Sequence, residues 1–152
     1  SPEYAASLEM PTRALVAACV ASYPSGRELT QHLPSSVLID RVRAVVRQNM
    51  ASPDFGPERL ARLLAMSRSK LYRLFESSGG VAHFINRERL REAHLRLSSH
   101  RSVLSIHAIG NEVGFADHST FSRAFRREFG CSPTEARERG FVRLVAEEPI
   151  SG

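Results

Sequence analysis

Cysteine, lysine and long apolar runs are scarce in this chain of 152 residues, and each scarcity excludes a class of protein. The two cysteines, Cys19 and Cys131, stand far apart and form no Cys-x-x-Cys pair, so neither a disulfide framework nor a thiolate zinc site is expected. The longest apolar run, from Ala14 to Ala21, is much shorter than the roughly 20 residues that cross a bilayer, and no signal-peptide pattern opens the chain. We therefore expect a cytoplasmic protein in a reducing compartment and no association with a membrane.

The positive charge of the chain comes almost entirely from arginine, because Lys70 is the only lysine among 21 basic residues. The formal net charge is +5. The forked guanidinium group matches phosphate oxygens and the edges of guanine, so the composition favours an anionic polymer as a partner. An ordinary soluble surface also carries a charge of this size, and composition alone leaves both interpretations open.

Apolar residues recur at helical spacing from Ser36 onwards and no segment alternates like a strand, which predicts an all-α fold. Prolines at helix starts, serine and aspartate caps, and glycines after helix ends set the boundaries. The predicted helices are Val37–Asn49, Pro57–Ala65, one capped by Ser67 and ending at Ser77, Val81–Ser98, one capped by Ser105 and ending at Val113, one capped by Asp117 and ending at Phe129, and a short one from Pro133 to about Gly140. Another helix, Pro11–Ser22, is predicted to precede a linker that ends at Pro34.

Two segments of this helical run are versions of one another. The sequence Leu71-Tyr72-Arg73-Leu74-Phe75 lies fifty positions before Phe121-Ser122-Arg123-Ala124-Phe125, and Ser69 and Gly80 have the same offset from Ser119 and Gly130. Each copy contains a short helix, a tight turn and a second helix with one apolar face. The opposite face carries arginine and small polar residues. This is the layout of a helix-turn-helix.

A longer pattern of residues spans both copies. It consists of Leu60, Ala61, Met66, Ser67, Leu71-Tyr72-Arg73-Leu74-Phe75, Arg89, Leu90, Ala93, Ile106, Ile109, Gly114, Phe115, Phe121-Ser122-Arg123-Ala124-Phe125, Phe129-Gly130-Cys131-Ser132-Pro133 and Arg137. The pattern resembles the DNA-binding domain of AraC/XylS-type bacterial transcription regulators, over about Val37 to Gly140. Ala65 and Gly110 stand where that family usually has Gly and Ala, and Ala136 where it usually has an aromatic residue. Because Gly110 lies inside a helix, at a cost of about 1 kcal/mol relative to Ala, we expect the second copy to be the less stable one.

The resemblance implies an AraC-type DNA-binding domain in residues 36–140, with helix-turn-helix subdomains at about 57–80 and 105–130 joined by a linker helix at 81–98. It also implies that the second helix of each subdomain enters a major groove of double-stranded DNA, as expected of a sequence-specific transcription regulator. By position in the motif, the expected base-reading residues are Ser69, Tyr72, Arg73, His118, Ser119, Ser122 and Arg123. The expected phosphate-binding residues are Arg68, Lys70, Arg126 and Arg127.

Each of these assignments has a plainer structural alternative. Arg73 is placed to form an intrahelical ion pair with Glu76, and Tyr72 to cover a neighbouring apolar residue. The phosphate-binding side chains are equally well explained as solvated charges. Arg89 in the linker helix is predicted to have a structural ion partner rather than a base. The phenylalanines at inward positions are predicted to form the core rather than a stacking platform, and these are Phe75, Phe115, Phe121, Phe125 and Phe129.

Nothing in the sequence predicts an enzyme, a cofactor or a metal centre. Asp117, His118 and Ser119 have the residue types of a nucleophilic site, but adjacent residues at a helix start point in different directions and cannot form a relay. The histidines form no His-x-x-x-His pair, and no glycine-rich phosphate loop is present. A protein-interaction module without sequence-specific DNA binding is the alternative function. It would favour apolar outer faces on the two second helices, whereas the predicted faces are polar and basic.

The remaining parts of the chain are a helix and linker in residues 1–35 and a tail in residues 141–152. The helix Pro11–Ser22 is equally well explained as the remnant of a truncated sensing domain or as a helix that packs on the DNA-binding domain. Regulators of the AraC/XylS type generally carry a separate sensing or dimerising domain, so the resemblance implies such a domain as a partner. RNA polymerase is a further expected partner.

Overall fold

A computed structural model describes residues 33–99 and 102–147, with side chains as far as residue 140. Every regular element within these ranges is a helix, which confirms the predicted all-α fold. The helices are α1 (Ser35–Asn49), α2 (Pro57–Leu63), α3 (Arg68–Phe75), α4 (Val81–Ser98), α5 (Ile106–Glu112), α6 (His118–Phe129) and α7 (Pro133–Glu147), with one 3₁₀ turn at Glu76–Ser78 after α3. The predicted helix Pro11–Ser22 lies outside the described residues.

The starts of α3, α5, α6 and α7 are fixed by capping residues that the sequence indicates. The side chains of Ser67, Ser105 and Asp117 each accept a hydrogen bond from the backbone N–H three residues later, at 3.2, 3.0 and 2.7 Å. Ser132 and Glu135 form a reciprocal capping box before α7: the Ser132 N–H donates to the Glu135 carboxylate at 2.6 Å, and the Glu135 N–H donates to the Ser132 hydroxyl at 3.2 Å. These bonds satisfy N–H groups that would otherwise lack a partner in the first helical turns.

The helices α2 and α3 form one helix-turn-helix module, and α5 and α6 form a second one with the same turn. In the first module the Met66 N–H donates to the Ala61 carbonyl at 3.0 Å, and in the second the Phe115 N–H donates to the Gly110 carbonyl at 2.9 Å. The residue before each donor has a left-handed backbone, with φ of +51° in the first turn and +97° in the second. Alanine occupies the first of these positions and glycine the second. The first turn therefore carries conformational strain that the second avoids.

Gly110 makes room for a larger side chain in the second module. A Cβ atom added at Gly110 would lie 3.0 Å from the ring of Phe121, which is fully buried. The corresponding residues of the first module are Ala61 and Leu71, both buried. One copy thus pairs alanine with leucine and the other glycine with phenylalanine. The loss of helix propensity at Gly110 is offset by the burial of the larger ring.

The helix α4 is the centre of the molecule, because α1, α3, α5, α6 and α7 all pack against it. Its buried apolar side chains are Val81, Ile85, Leu90, Ala93 and Leu97. They join the apolar faces of both modules in one continuous core. The helix that links the modules in sequence therefore also fixes their relative position.

Two buried charged residues on α4 tie other parts of the chain to it. The Glu88 carboxylate lies 3.2 Å from the Arg43 guanidinium and 3.7 Å from that of Arg47, both on α1. The Arg89 Nη2 donates to the backbone carbonyls of Ser52 at 3.0 Å and Phe55 at 3.3 Å. The predicted ion partner of Arg89 is therefore wrong, since its partners are carbonyl oxygens of the loop before α2. Burial lowers the pKa of Arg89, and the two carbonyls compensate in part for its lost hydration.

The last helix is longer than the sequence predicts, because Gly140 lies inside α7 and does not end it. A Cβ atom added at Gly140 would lie 2.9 Å from both the Cα and the carbonyl oxygen of Ser98. The glycine lets the backbone of α7 cross the end of α4 at short range. Arg137, one turn earlier, donates to the Leu104 carbonyl at 2.6 Å and anchors the same helix to the loop before α5.

Candidate nucleic-acid interface

The expected base-reading residues of the first module share the exposed side of α3. Ser69, Tyr72 and Arg73 are all exposed, and Tyr72 keeps 46% of its surface accessible. Leu71 and Phe75 on the other side of the helix are buried. The hydrophobic effect therefore holds α3 by its apolar side and leaves a polar face free for a ligand.

The expected base-reading residues of the second module lie on α6, with the same separation of polar and apolar sides. His118, Ser119 and Arg123 are exposed and Ser122 is half-buried. The His118 Nε2 lies 3.4 Å from the Ser122 hydroxyl. The Arg123 Nε donates to the Ser119 carbonyl at 3.3 Å. The structure thus brings all four side chains to one end of one helix.

The phenylalanines fill the interior, as predicted, and do not form a stacking platform. Phe75, Phe115, Phe121 and Phe125 are buried, and Phe129 is half-buried against the same core. The rings from Phe115 to Phe129 contact one another in sequence, with centroids 5.3, 5.7 and 4.7 Å apart. Because these rings are covered by protein, they are not available to stack on bases.

The four expected phosphate-binding residues differ in their surroundings. Arg126 and Arg127 are exposed in the last turn of α6, and Lys70 is half-buried on α3. Arg68 forms an ion pair with Glu58 on α2 at 3.1 Å, with about two thirds of each side chain exposed. An exposed pair of this kind contributes less than about 1 kcal/mol, so a phosphate can compete for the Arg68 guanidinium.

The intrahelical alternative for Arg73 does not form in the structure. Arg73 and Glu76 both lie within residues 33–99, and no ion pair joins them there. The Arg73 guanidinium is therefore exposed on α3 beside Tyr72. Tyr72 keeps about half of its surface accessible, and the alternative that its ring covers a neighbouring apolar residue stays open.

Asp117 is a structural residue at the start of α6 and belongs to no catalytic relay. Its carboxylate accepts hydrogen bonds from both the hydroxyl and the backbone N–H of Thr120, each at 2.7 Å. These bonds hold the pKa of Asp117 below its usual value, and the charge of Arg123 acts in the same direction. Among the residues that the structure describes, no three metal-ligating side chains come together, and none of the described helices has the length and hydropathy of a membrane span.

Sequence reasoning missed the residues of α2 and α5 that contact the first residues of α3 and α6. These are Glu58, which pairs with Arg68, and His107, whose ring centroid lies 5.8 Å from that of His118. A signal for them was present, because Glu58 and His107 are each the second residue of the first helix of a copy. Glutamate and histidine have little chemistry in common, so the correspondence does not stand out in the sequence.

Comparisons with known proteins agree with this geometry. Residues 60–139, more than half of the chain, match the family model described as a helix-turn-helix domain. The chain is 35% identical over 118 residues to the RCS-specific HTH-type transcriptional activator RclR of Escherichia coli, which is 76% of this chain and 41% of that protein. It is 32% identical over 108 residues to the arabinose operon regulatory protein of Escherichia coli, 70% of this chain and 36% of that protein. The chain thus spans about two-fifths of the length of these bacterial relatives, which are regulators and not enzymes.

Solved structures show the same fold. A DNA-binding transcriptional dual regulator from Escherichia coli aligns with a TM-score of 0.60 and 27% identity, over 67% of this chain and 90% of that one. A probable AraC family transcriptional regulator from Rhodopseudomonas palustris aligns with a TM-score of 0.55 and 29% identity, over 65% of this chain and 93% of that one. The chain therefore belongs to the AraC/XylS family of transcription regulators, and its two helix-turn-helix modules are the family's DNA-binding domain.

Proposed function

We propose that the chain reads double-stranded DNA with α3 and α6 together, each in one of two successive major grooves. The observation that carries this proposal is that both helices expose a polar and basic face while their apolar faces pack on the same helix, α4. The 18 residues of α4 span about 27 Å at roughly 1.5 Å per residue. This length suits the ~34 Å repeat of the major groove along one face of a duplex.

The proposed base-reading residues are those whose side chains lie on the exposed sides of the two helices, namely Ser69, Tyr72 and Arg73 on α3 and His118, Ser119, Ser122 and Arg123 on α6. Arginine binds a guanine edge through two hydrogen bonds, whereas serine and histidine make shorter or water-mediated contacts. Arg68, Lys70, Arg126 and Arg127 are proposed to bind phosphates and to set the register of the protein on the duplex.

Two matched substitutions test this division of roles. Arg73→Ala is expected to lose about 1–3 kcal/mol on the preferred sequence and to relax the preference at one or two base pairs, because a contact with base edges is removed. Arg127→Ala is expected to weaken binding to all sequences alike and to reduce the salt slope by about one, because a phosphate contact is removed. Both side chains are exposed, so both variants should fold. Equal losses on specific and nonspecific DNA for Arg73→Ala would show that it is a backbone contact.

Because the chain matches only about two-fifths of its relatives, we infer that the regulator works with a separate sensing or dimerising domain and, in the cytoplasm, with RNA polymerase. Joining such a domain would give a second DNA-binding unit or a ligand response. The test compares DNA binding by the 152-residue chain with DNA binding by a longer form that includes the additional domain, at equal salt. It shows whether that domain changes the affinity for DNA or only the number of chains bound per duplex.

A further inference from the structure

His107 lies outside the expected DNA-reading residues but contacts one of them. It is exposed on α5, and its ring lies against that of His118, the first residue of α6, with centroids 5.8 Å apart and planes inclined by 34°. The Asn111 amide nitrogen lies 3.3 Å from the His107 Nδ1, on the side of its own helix. On α6 the His118 Nε2 lies 3.4 Å from the Ser122 hydroxyl. These four side chains form one continuous row across the two helices of the second module.

The first module has a contact at the same place, made by different chemistry. Glu58 is the second residue of α2, as His107 is of α5, and Arg68 is the first residue of α3, as His118 is of α6. The Arg68 guanidinium and the Glu58 carboxylate form an ion pair at 3.1 Å. Both modules therefore connect the second residue of the first helix to the first residue of the reading helix. A repeated contact with unrelated side chains indicates a common geometric role.

That role follows from the exposure of the residues concerned. His118 is exposed at the start of α6. An exposed side chain that must be ordered on binding loses conformational entropy, which weakens the binding. Contacts with the His107 ring on one side and the Ser122 hydroxyl on the other restrict the imidazole before DNA arrives. Ordering in advance strengthens a base contact without adding a new one.

We propose that His107 is a positioning residue for base reading by His118. Glu58 holds the same place in the first module, beside the expected phosphate-binding residue Arg68. This inference rests on the proposed reading role of α6. His107 itself is not expected to contact a base. Loss of His107 should therefore weaken discrimination at the base pair that His118 reads, and leave discrimination elsewhere unchanged.

The experiment measures the binding of the full chain to a panel of duplexes that differ by single base pairs from its selected site. The variants are His118→Ala, His107→Ala, the double variant, His107→Phe and, as a control on α4, His83→Ala. The measurements are made at one fixed pH and salt concentration. We expect His118→Ala to reduce discrimination at one base pair by about fivefold or more. His107→Ala should reduce it there by about threefold, with little further loss in the double variant.

His107→Phe retains a ring against His118 and should retain most of the discrimination, and His83→Ala should behave like the unmodified chain. Equal weakening on all duplexes by His107→Ala would overturn the proposal, because it would indicate a phosphate contact. Additive losses in the double variant, or unchanged discrimination in His107→Ala, would also overturn it. An unmodified chain without any sequence preference would instead refute the proposed function, and the positioning role with it. Thermal unfolding of each variant verifies that the fold is intact.

Discussion

Replacement of Gly114 by alanine tests how closely the turn of the second module approaches the end of α1 and Arg89 on α4. Gly114 has φ of +97°, and a Cβ atom added there would overlap the carbonyl oxygen of Met50 and lie 2.8 Å from the Arg89 Nε. Alanine in a left-handed conformation is destabilised by about 1–2 kcal/mol. The overlap adds about 1–3 kcal/mol, because Met50 is buried at the end of α1 and Arg89 is fixed by two carbonyls. We therefore expect Gly114→Ala to lower the free energy of unfolding by about 2–5 kcal/mol.

Gly130 provides a matched control for the backbone contribution. Its φ of +72° is also left-handed, but a Cβ atom added there would have no neighbour within 4 Å. Gly130→Ala should therefore lose only about 1–2 kcal/mol. Urea unfolding of both variants, followed by circular dichroism, separates the two contributions. If Gly114→Ala were no more destabilising than Gly130→Ala, the close approach of Gly114 to Met50 and Arg89 would not constrain the residue at this position.

Three further perturbations test other parts of the structure. Ala65→Gly should raise the free energy of unfolding by about 0.5–1 kcal/mol, because glycine removes the left-handed strain at φ +51° and this gain exceeds the greater entropy of glycine in the unfolded chain. A lower melting temperature would contradict this expectation. Gly140→Ala should destabilise the chain by about 1–2 kcal/mol in urea unfolding, because the new methyl group would press on the Ser98 backbone. Unchanged stability would show that a methyl group fits where α7 crosses the end of α4. The folded pKa of Asp117 is lowered, so its stabilising effect is complete above the unfolded value and is lost as pH falls below about 4. Asp117→Asn keeps a capping side chain but removes the titrating carboxylate, so the free energy of unfolding should fall less between neutral and acid pH. Urea unfolding at both pH values measures this difference. An unchanged pH dependence would mean that Asp117 does not contribute to it.

The helices and their starts could be predicted because their causes are local. Ser67, Ser105 and Asp117 cap helices through bonds that span three residues, and apolar residues at helical spacing mark the buried faces. The exposed sides of α3 and α6 follow from the same periodicity. These features depend on neighbours that sequence reasoning can identify.

The missed features all depend on contacts between different elements of the fold. Gly140 resembles a helix terminator in the sequence, and only its approach to Ser98 shows why a glycine stands inside α7. Arg89 finds its partners in a loop 34 and 37 residues earlier, where backbone carbonyls leave no sequence signal. The contact between His107 and His118 depends on the angle between α5 and α6, which the turn sets and residue types do not specify.

Binding-site selection from randomised duplex DNA, followed by footprinting, is the measurement that decides whether one chain reads two successive major grooves. We expect two clusters of preferred base pairs centred about one helical turn apart, inside a protected region of about 15–20 base pairs, for one chain per duplex. Binding of the selected duplex should weaken with a log–log salt slope of about −4 to −5. A single short cluster of preferred base pairs would mean that only one of the two helices reads DNA, and the proposed function would be wrong.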